Sequence, residues 1–113
     1  MKIYTRQEFM CLPEGTLFVK GEKHYFNTGI CIKGETICHD GKNIDWYYIS
    51  LCDFNSNGSD DYFEKFDAML NEKISSDINN CYERDGLYEE TDLFLVYEKN
   101  DLVKIIKIFK NAI

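Results

Sequence analysis

Apolar and polar positions change their period along this chain, and the changes divide it into short elements. Thr5-Arg6-Gln7-Glu8 has the form of a capping box, in which the Thr5 hydroxyl and Glu8 carboxylate satisfy free amides at a helix start. The helix it opens is short, because Pro13 and Gly15 follow, and Phe9 and Leu12 are its core-facing positions. Residues 17–20 then read as a strand, Gly21-Glu22 as a turn and residues 24–26 as the returning strand. Residues 30–33 alternate weakly and stop at Gly34. Residues 36–39 lead into Asp40-Gly41, a dipeptide suited to the positive φ angles of a tight hairpin. Residues 45–52 are the richest strand candidate. Trp46, Tyr48, Ser50 and Cys52 fall on one face and Tyr47, Ile49 and Leu51 on the other; the second set is more apolar and is expected to point inward. The first half therefore predicts a small antiparallel meander.

The second half begins with helix signals over residues 59–73. Ser59 is a cap candidate, Asp60 and Asp61 lie in the first turn, and Phe63, Phe66 and Leu70 recur at helical spacing as a core stripe. Asp61 and Lys65 form an exposed i, i+4 pair. The polar stretch from Ser75 to Gly86 reads as an ordered loop, and residues 93–97 as a central strand buried on both faces. Asn100 or Asp101 would cap a last helix over residues 102–111, with Leu102, Ile105, Ile106 and Phe109 toward the core and Lys104, Lys107 and Lys110 toward water. The expectation is one α+β domain over residues 1–113, a small antiparallel sheet packed against two to three helices.

Charge sharpens this picture. The chain of 113 residues carries a net −7, but residues 1–52 sum to zero, residues 53–98 to −10 and residues 99–113 to +3. So acidic a middle repels phosphate and anionic lipid, which argues against direct nucleic-acid or membrane binding and favours a partner protein with a basic surface. The candidate partner-binding residues are Asp60, Asp61, Glu64, Asp67, Glu83, Asp85, Glu89, Glu90 and Asp92. Tyr25, Trp46, Tyr47, Tyr48, Tyr62, Tyr82 and Tyr88 supply aromatic area beside them, of the kind that interfaces favour.

Residues 53–64 satisfy the calcium-loop pattern at every specified position. In that reading Asp53, Asn55, Asn57, the Ser59 carbonyl, Asp61 and Glu64 surround one ion, and Gly58 makes the sharp turn. Against it, the loop is entered from a strand, Asp60 stands where an apolar residue usually couples paired loops, and there is one copy only. The competing reading is a polar strand-to-helix turn capped by Ser59. A second alternative is a small-ligand sponge, for which Arg84 is the only cation of the acidic half placed to hold an anion. More simply, Arg84 pairs with a carboxylate.

Five cysteines without a signal-peptide core or a C-x-x-C pair predict free thiols, mostly packed as small hydrophobes in a cytoplasmic protein. Cys31, Cys38, His39 and Cys52 lack the spacing of a zinc knuckle. No nucleophile elbow, P-loop or dinucleotide fingerprint occurs, so the sequence argues against an enzyme and, calcium aside, against a cofactor.

The opening Met1-Lys2-Ile3-Tyr4-Thr5-Arg6-Gln7-Glu8-Phe9, followed by Leu12-Pro13-Glu14-Gly15-Thr16-Leu17-Phe18, resembles a family of small uncharacterised proteins from phages and prophages. Ile32-Lys33-Gly34-Glu35-Thr36, Tyr82-Glu83-Arg84-Asp85-Gly86-Leu87-Tyr88 and Asp92-Leu93-Phe94-Leu95-Val96-Tyr97-Glu98 are similar to later parts of the same family. No activity attaches to that family, and its acidic middle does not regularly keep the calcium spacing. The resemblance implies a mobile-element context inside a host cell. By analogy it implies an anti-CRISPR-like or other anti-defence inhibitor, whose acidic middle occupies a basic groove as nucleic acid does.

Overall fold

The computed structural model describes residues 1–113 and has the expected α+β class, as a single domain. Its elements are β1 (Lys2–Thr5), α1 (Arg6–Met10), β2 (Leu17–Glu22), β3 (Tyr25–Phe26), β4 (Cys31–His39), β5 (Lys42–Ser50), α2 (Gly58–Asp67), β6 (Glu83–Arg84), β7 (Leu93–Val96) and α3 (Lys99–Asn111). The seven strands form one sheet in the order β1-β7-β2-β4-β5-β6, all pairs antiparallel, with β3 attached to β2. β2, β4 and β5 form an antiparallel meander, with the expected returning strand reduced to the two residues of β3 on β2 and the strands expected at 30–33 and 36–39 fused into β4. β7 returns from the far end of the chain to lie between β1 and β2, pairing Ile3 with Leu95 on one side and Val19 with Leu95 on the other.

The core is a cluster of aromatic rings. α1 follows the capping box, where the Thr5 amide donates to the Glu8 carboxylate at 2.9 Å and the Glu8 amide to the Thr5 hydroxyl. This short helix lays Phe9 and Met10 on the sheet face that carries Phe18, Trp46, Phe94 and Val96. Phe9 stacks on Phe94 with ring centroids 4.1 Å apart and meets Phe18 and Trp46 edge-on at 4.6 and 5.2 Å. Such pairs contribute about 0.5–1.5 kcal/mol each beyond the area they bury.

Several local expectations change. The β2–β3 turn lies at Lys23-His24, where His24 takes a φ of 68°, and Gly21 stays inside the strand. A Cβ on Gly21 would lie 2.1 Å from the Tyr25 carbonyl oxygen, so close approach of β3 is what requires glycine there. Gly34 does not end a strand. β4 runs through it with a bulge between Lys33 and Thr36, while the Asp40-Gly41 hairpin forms as expected, with φ of 50° and 75°. On β5 the inward face is reversed where it matters most. Trp46 is 1% exposed in the core and Tyr47 is 38% exposed, because α1 docks on the Trp46 side. β7 is central, but only Phe94 and Val96 are buried; Leu93 and Leu95 are half-buried.

The helices differ too. α2 starts at Gly58 after Asn57, so Ser59 is not its cap, and it ends in a π-helical turn over Ala68–Glu72 that Lys73 terminates in a left-handed conformation. α3 begins earlier than expected. Glu98 is its cap, and Asp101, at the third helical position, accepts from the Glu98 amide at 2.8 Å. Neither helix buries a single residue. Phe63, Phe66 and Leu70 are therefore exposed rather than core, while on α3 Leu102 and Ile105 are half-buried and Ile106 and Phe109 exposed.

Candidate functional site

The acidic residues fall into two groups that differ in what they touch. The first, in residues 83–92, is pinned to the sheet. Asp45, wholly buried on β5, accepts from Arg84 Nε and from the Gly86 amide at 3.0 Å, which fixes the chain where it passes β5. Lys20 on β2 reaches Asp85 at 2.9 Å and Asp92 at 3.2 Å. Burial works to lower the Lys20 pKa, but these two carboxylates outweigh it and the value is raised. Arg6 of α1 is 2% exposed, donates to the Ile44 carbonyl and pairs with Glu90 at 3.3 Å. Its guanidinium lies 5.3 Å from the Trp46 ring and 5.7 Å from the Tyr88 ring.

Asp85, Glu90 and Asp92 are thus satisfied within the chain, and Asp85 and Asp92 are not available to a partner. Glu83, Glu89 and Glu90 remain exposed. Glu83 pairs with Tyr48 across β5 and β6; burial first, and this carboxylate second, push the Tyr48 hydroxyl up to about 12. Arg84 holds Asp45, as the simpler expectation had it, so it is not free for an anionic ligand.

The second group lies on α2. Asp60, Glu64 and Asp67 are exposed and, at i, i+4 and i+7, share one stripe of the helix. Phe63 (62% exposed), Phe66 (46%) and Leu70 (56%) form an apolar stripe beside it. Tyr62, at the back of the helix, stacks on Phe54 with ring centroids 4.6 Å apart and anchors α2 to the preceding loop. Asp61 faces elsewhere, accepting from the Asn57 amide at 2.7 Å and pairing with Lys65 at 3.2 Å; the amide first and Lys65 second lower its pKa.

This last arrangement bears on the calcium reading. Lys65 Nζ donates to the Asn55 carbonyl at 2.7 Å as well as meeting Asp61, so an ammonium already sits against the loop. Asp53 turns back on the Phe54 amide at 2.8 Å, and no three Asp, Glu, His or Cys side chains are grouped so as to hold a metal ion. The loop is also spliced to residues 77–79 by backbone hydrogen bonds such as Asn55 N to Asp77 O at 2.9 Å. For Asp53, Asn55, Asn57, the Ser59 carbonyl, Asp61 and Glu64 to surround calcium, Lys65 would have to leave the Asn55 carbonyl and Asp61. Cys31, Cys38, His39 and Cys52 do not cluster either. All five thiols are free, but only Cys31 is buried, contrary to the expectation that most pack inside.

Sequence reasoning missed the surface formed by α3. Leu102, Ile106 and Phe109 face Leu17, Leu51 and Tyr97 across an open cleft of about 560 Å³ whose lining is entirely apolar. Phe109 remains 58% exposed and Val103, on the flank beside Lys107 and Lys110, 59%. The signal was present as helical periodicity, which does not tell a core stripe from a stripe awaiting a partner. No helix is long and apolar enough to cross a membrane. Compared with known proteins, the chain matches no family description, no curated protein and no solved structure.

Proposed function

We propose that the protein acts by binding another protein, with α2 as its recognition helix. The observation that carries this is the exposed apolar stripe Phe63, Phe66 and Leu70 running beside the carboxylates of Asp60, Glu64 and Asp67 on a helix with no buried residue. An apolar centre with an acidic margin suits a partner surface that is apolar and rimmed by Lys or Arg. The segment carrying Glu83 and Glu89 is a secondary acidic margin. Its remaining carboxylates serve the fold.

The resemblance to small phage and prophage proteins supports a target among bacterial defence or nucleic-acid-handling proteins, whose nucleic-acid grooves supply such a basic surface. Capture from the host cell, with the triple variant Asp60→Lys, Glu64→Lys, Asp67→Lys run in parallel, tests this. The wild type is expected to retain a specific protein at low salt and release it in high salt, and the variant to retain none. Equal retention by the two chains, or retention indifferent to ionic strength, overturns the proposal.

A further inference from the structure

The chain exposes far more surface than a folded chain of its mass. Its accessible area is 8124 Å², against about 6,500 Å² expected at 13.3 kDa. Its radius of gyration is 15.8 Å, against about 13 Å for this length. The excess, roughly 1,700 Å², is about twice the 800 Å² or so that each partner contributes to an ordinary stable interface. α2 and α3 have no fully buried residue, and Phe63, Phe66, Leu70, Val103, Ile106 and Phe109 on them are each at least 46% exposed.

The two helices are opposites in charge and alike in shape. α2 with its π-helical turn spans fifteen residues and α3 thirteen, so both are about 20 Å long. α2 flanks Phe63, Phe66 and Leu70 with Asp60, Glu64 and Asp67; α3 flanks Val103, Ile106 and Phe109 with Lys107 and Lys110. A basic apolar helix is the kind of surface that α2 is proposed to recognise, and every copy of the chain carries one.

We infer that the protein forms a symmetric homodimer in which α3 of each copy docks on α2 of the other. The inference rests on the reading of α2 as a recognition helix and names its first occupant. Because each copy supplies both halves, a two-fold arrangement makes the contact twice and closes at two copies, whereas a head-to-tail arrangement of the same contact would give larger assemblies and overturn the inference. Pairing α3 with its own counterpart would instead bring two lysine-bearing helices together, which is why the acidic α2 is the favoured seat.

Sedimentation equilibrium on the full chain, with two charge-reversed variants, tests this. The wild type is expected at about 27 kDa, twice its chain mass of 13.3 kDa. The variant Asp60→Lys, Glu64→Lys, Asp67→Lys is expected to dissociate at least tenfold more readily, and Lys104→Glu, Lys107→Glu, Lys110→Glu to do the same. Mixing the two is expected to restore the dimer, since each acidic face then meets a basic one at both contacts. All six positions are exposed on helix surfaces, and circular dichroism is the check that each variant is folded.

A wild type that stays monomeric at several hundred micromolar overturns the inference. So does an α2 variant that still dimerises, which would place α3 against α3. If the chain is monomeric while the α2 variant still loses the captured host protein, self-association falls and the binding function stands. If the dimer and its rescue appear but host capture is insensitive to α2, the binding function falls and the dimer stands.

Discussion

Arg84 Nε donates to the Asp45 carboxylate, so the edge strand β6 is tied to the wholly buried side chain at the turn end of β5. The same carboxylate takes the Gly86 amide at 3.0 Å. Asp45→Ala leaves that amide without its acceptor and loosens the hold of β5 on residues 84–86. The expected cost is about 2 kcal/mol, or roughly 8 °C in the thermal midpoint. Asp45→Asn keeps an acceptor for Gly86 and is expected to fall by less. Thermal denaturation followed by circular dichroism checks both, and an unchanged midpoint for Asp45→Ala contradicts the anchoring role.

Lys33 is 1% exposed in β4, donating to the Gly34 carbonyl at 3.2 Å and to Thr36, with its ammonium 5.9 Å from the Phe9 ring centroid and no carboxylate paired to it. Burial lowers its pKa from the ordinary lysine value of 10.5. Between the lowered value and 10.5 the unfolded chain binds more protons than the folded one, so this group makes stability rise with pH across that window. Below the window the full cost of burying the charge is present. Lys33→Met is therefore expected to raise the midpoint at neutral pH by roughly 4 °C, about 1 kcal/mol. The advantage should shrink as the pH approaches 10.5. A difference between the two chains that does not change with pH would show that the charge is not what matters.

Cys31 is buried, and desolvation pushes its thiol up to about 11, whereas Cys11, Cys38, Cys52 and Cys81 are exposed. In the native protein an aromatic disulfide reagent is expected to titrate four thiols quickly and the fifth only after denaturant is added. Cys31→Ser is expected to leave the fast count at four and abolish the slow one. Five equal rates would place Cys31 at the surface.

The ammonium of Lys65 against Asn55 and Asp61 predicts that calcium gives no binding heat near 1 mM in isothermal calorimetry. Lys65→Ala is expected to loosen the start of α2 and to lower its helical signal. Saturable heat in the wild type at micromolar calcium would show that the loop rearranges around the ion.

Features decided by neighbours in sequence were the legible ones. The Thr5–Glu8 capping box and the Asp40-Gly41 turn each depend on two to four residues and formed as read. The inward face of β5 was not legible, because it depends on α1 docking from the other end of the sheet and on a bulge opposite Tyr47 that keeps β4 running past Gly34. The candidate acidic surface was half legible. Composition pointed to Asp60, Glu64 and Asp67, but long-range pairing with Lys20 withdrew Asp85 and Asp92 from it, while Glu90 pairs with Arg6 and stays exposed. Periodicity located the stripes of α2 and α3 while leaving open whether the protein's own core or another surface meets them.

The insertion of β7 between β1 and β2 has a temporal consequence. A nascent chain that has left the ribosome only as far as residue 92 holds two open strand edges with no common neighbour, and Phe9 lacks the ring on which it stacks. Joining them closes a loop of more than seventy residues back to β2, the slow kind of contact in folding. The aromatic core is thus completed late, by the four residues of Leu93–Val96, and truncation just ahead of them would remove the seam of the sheet rather than its margin.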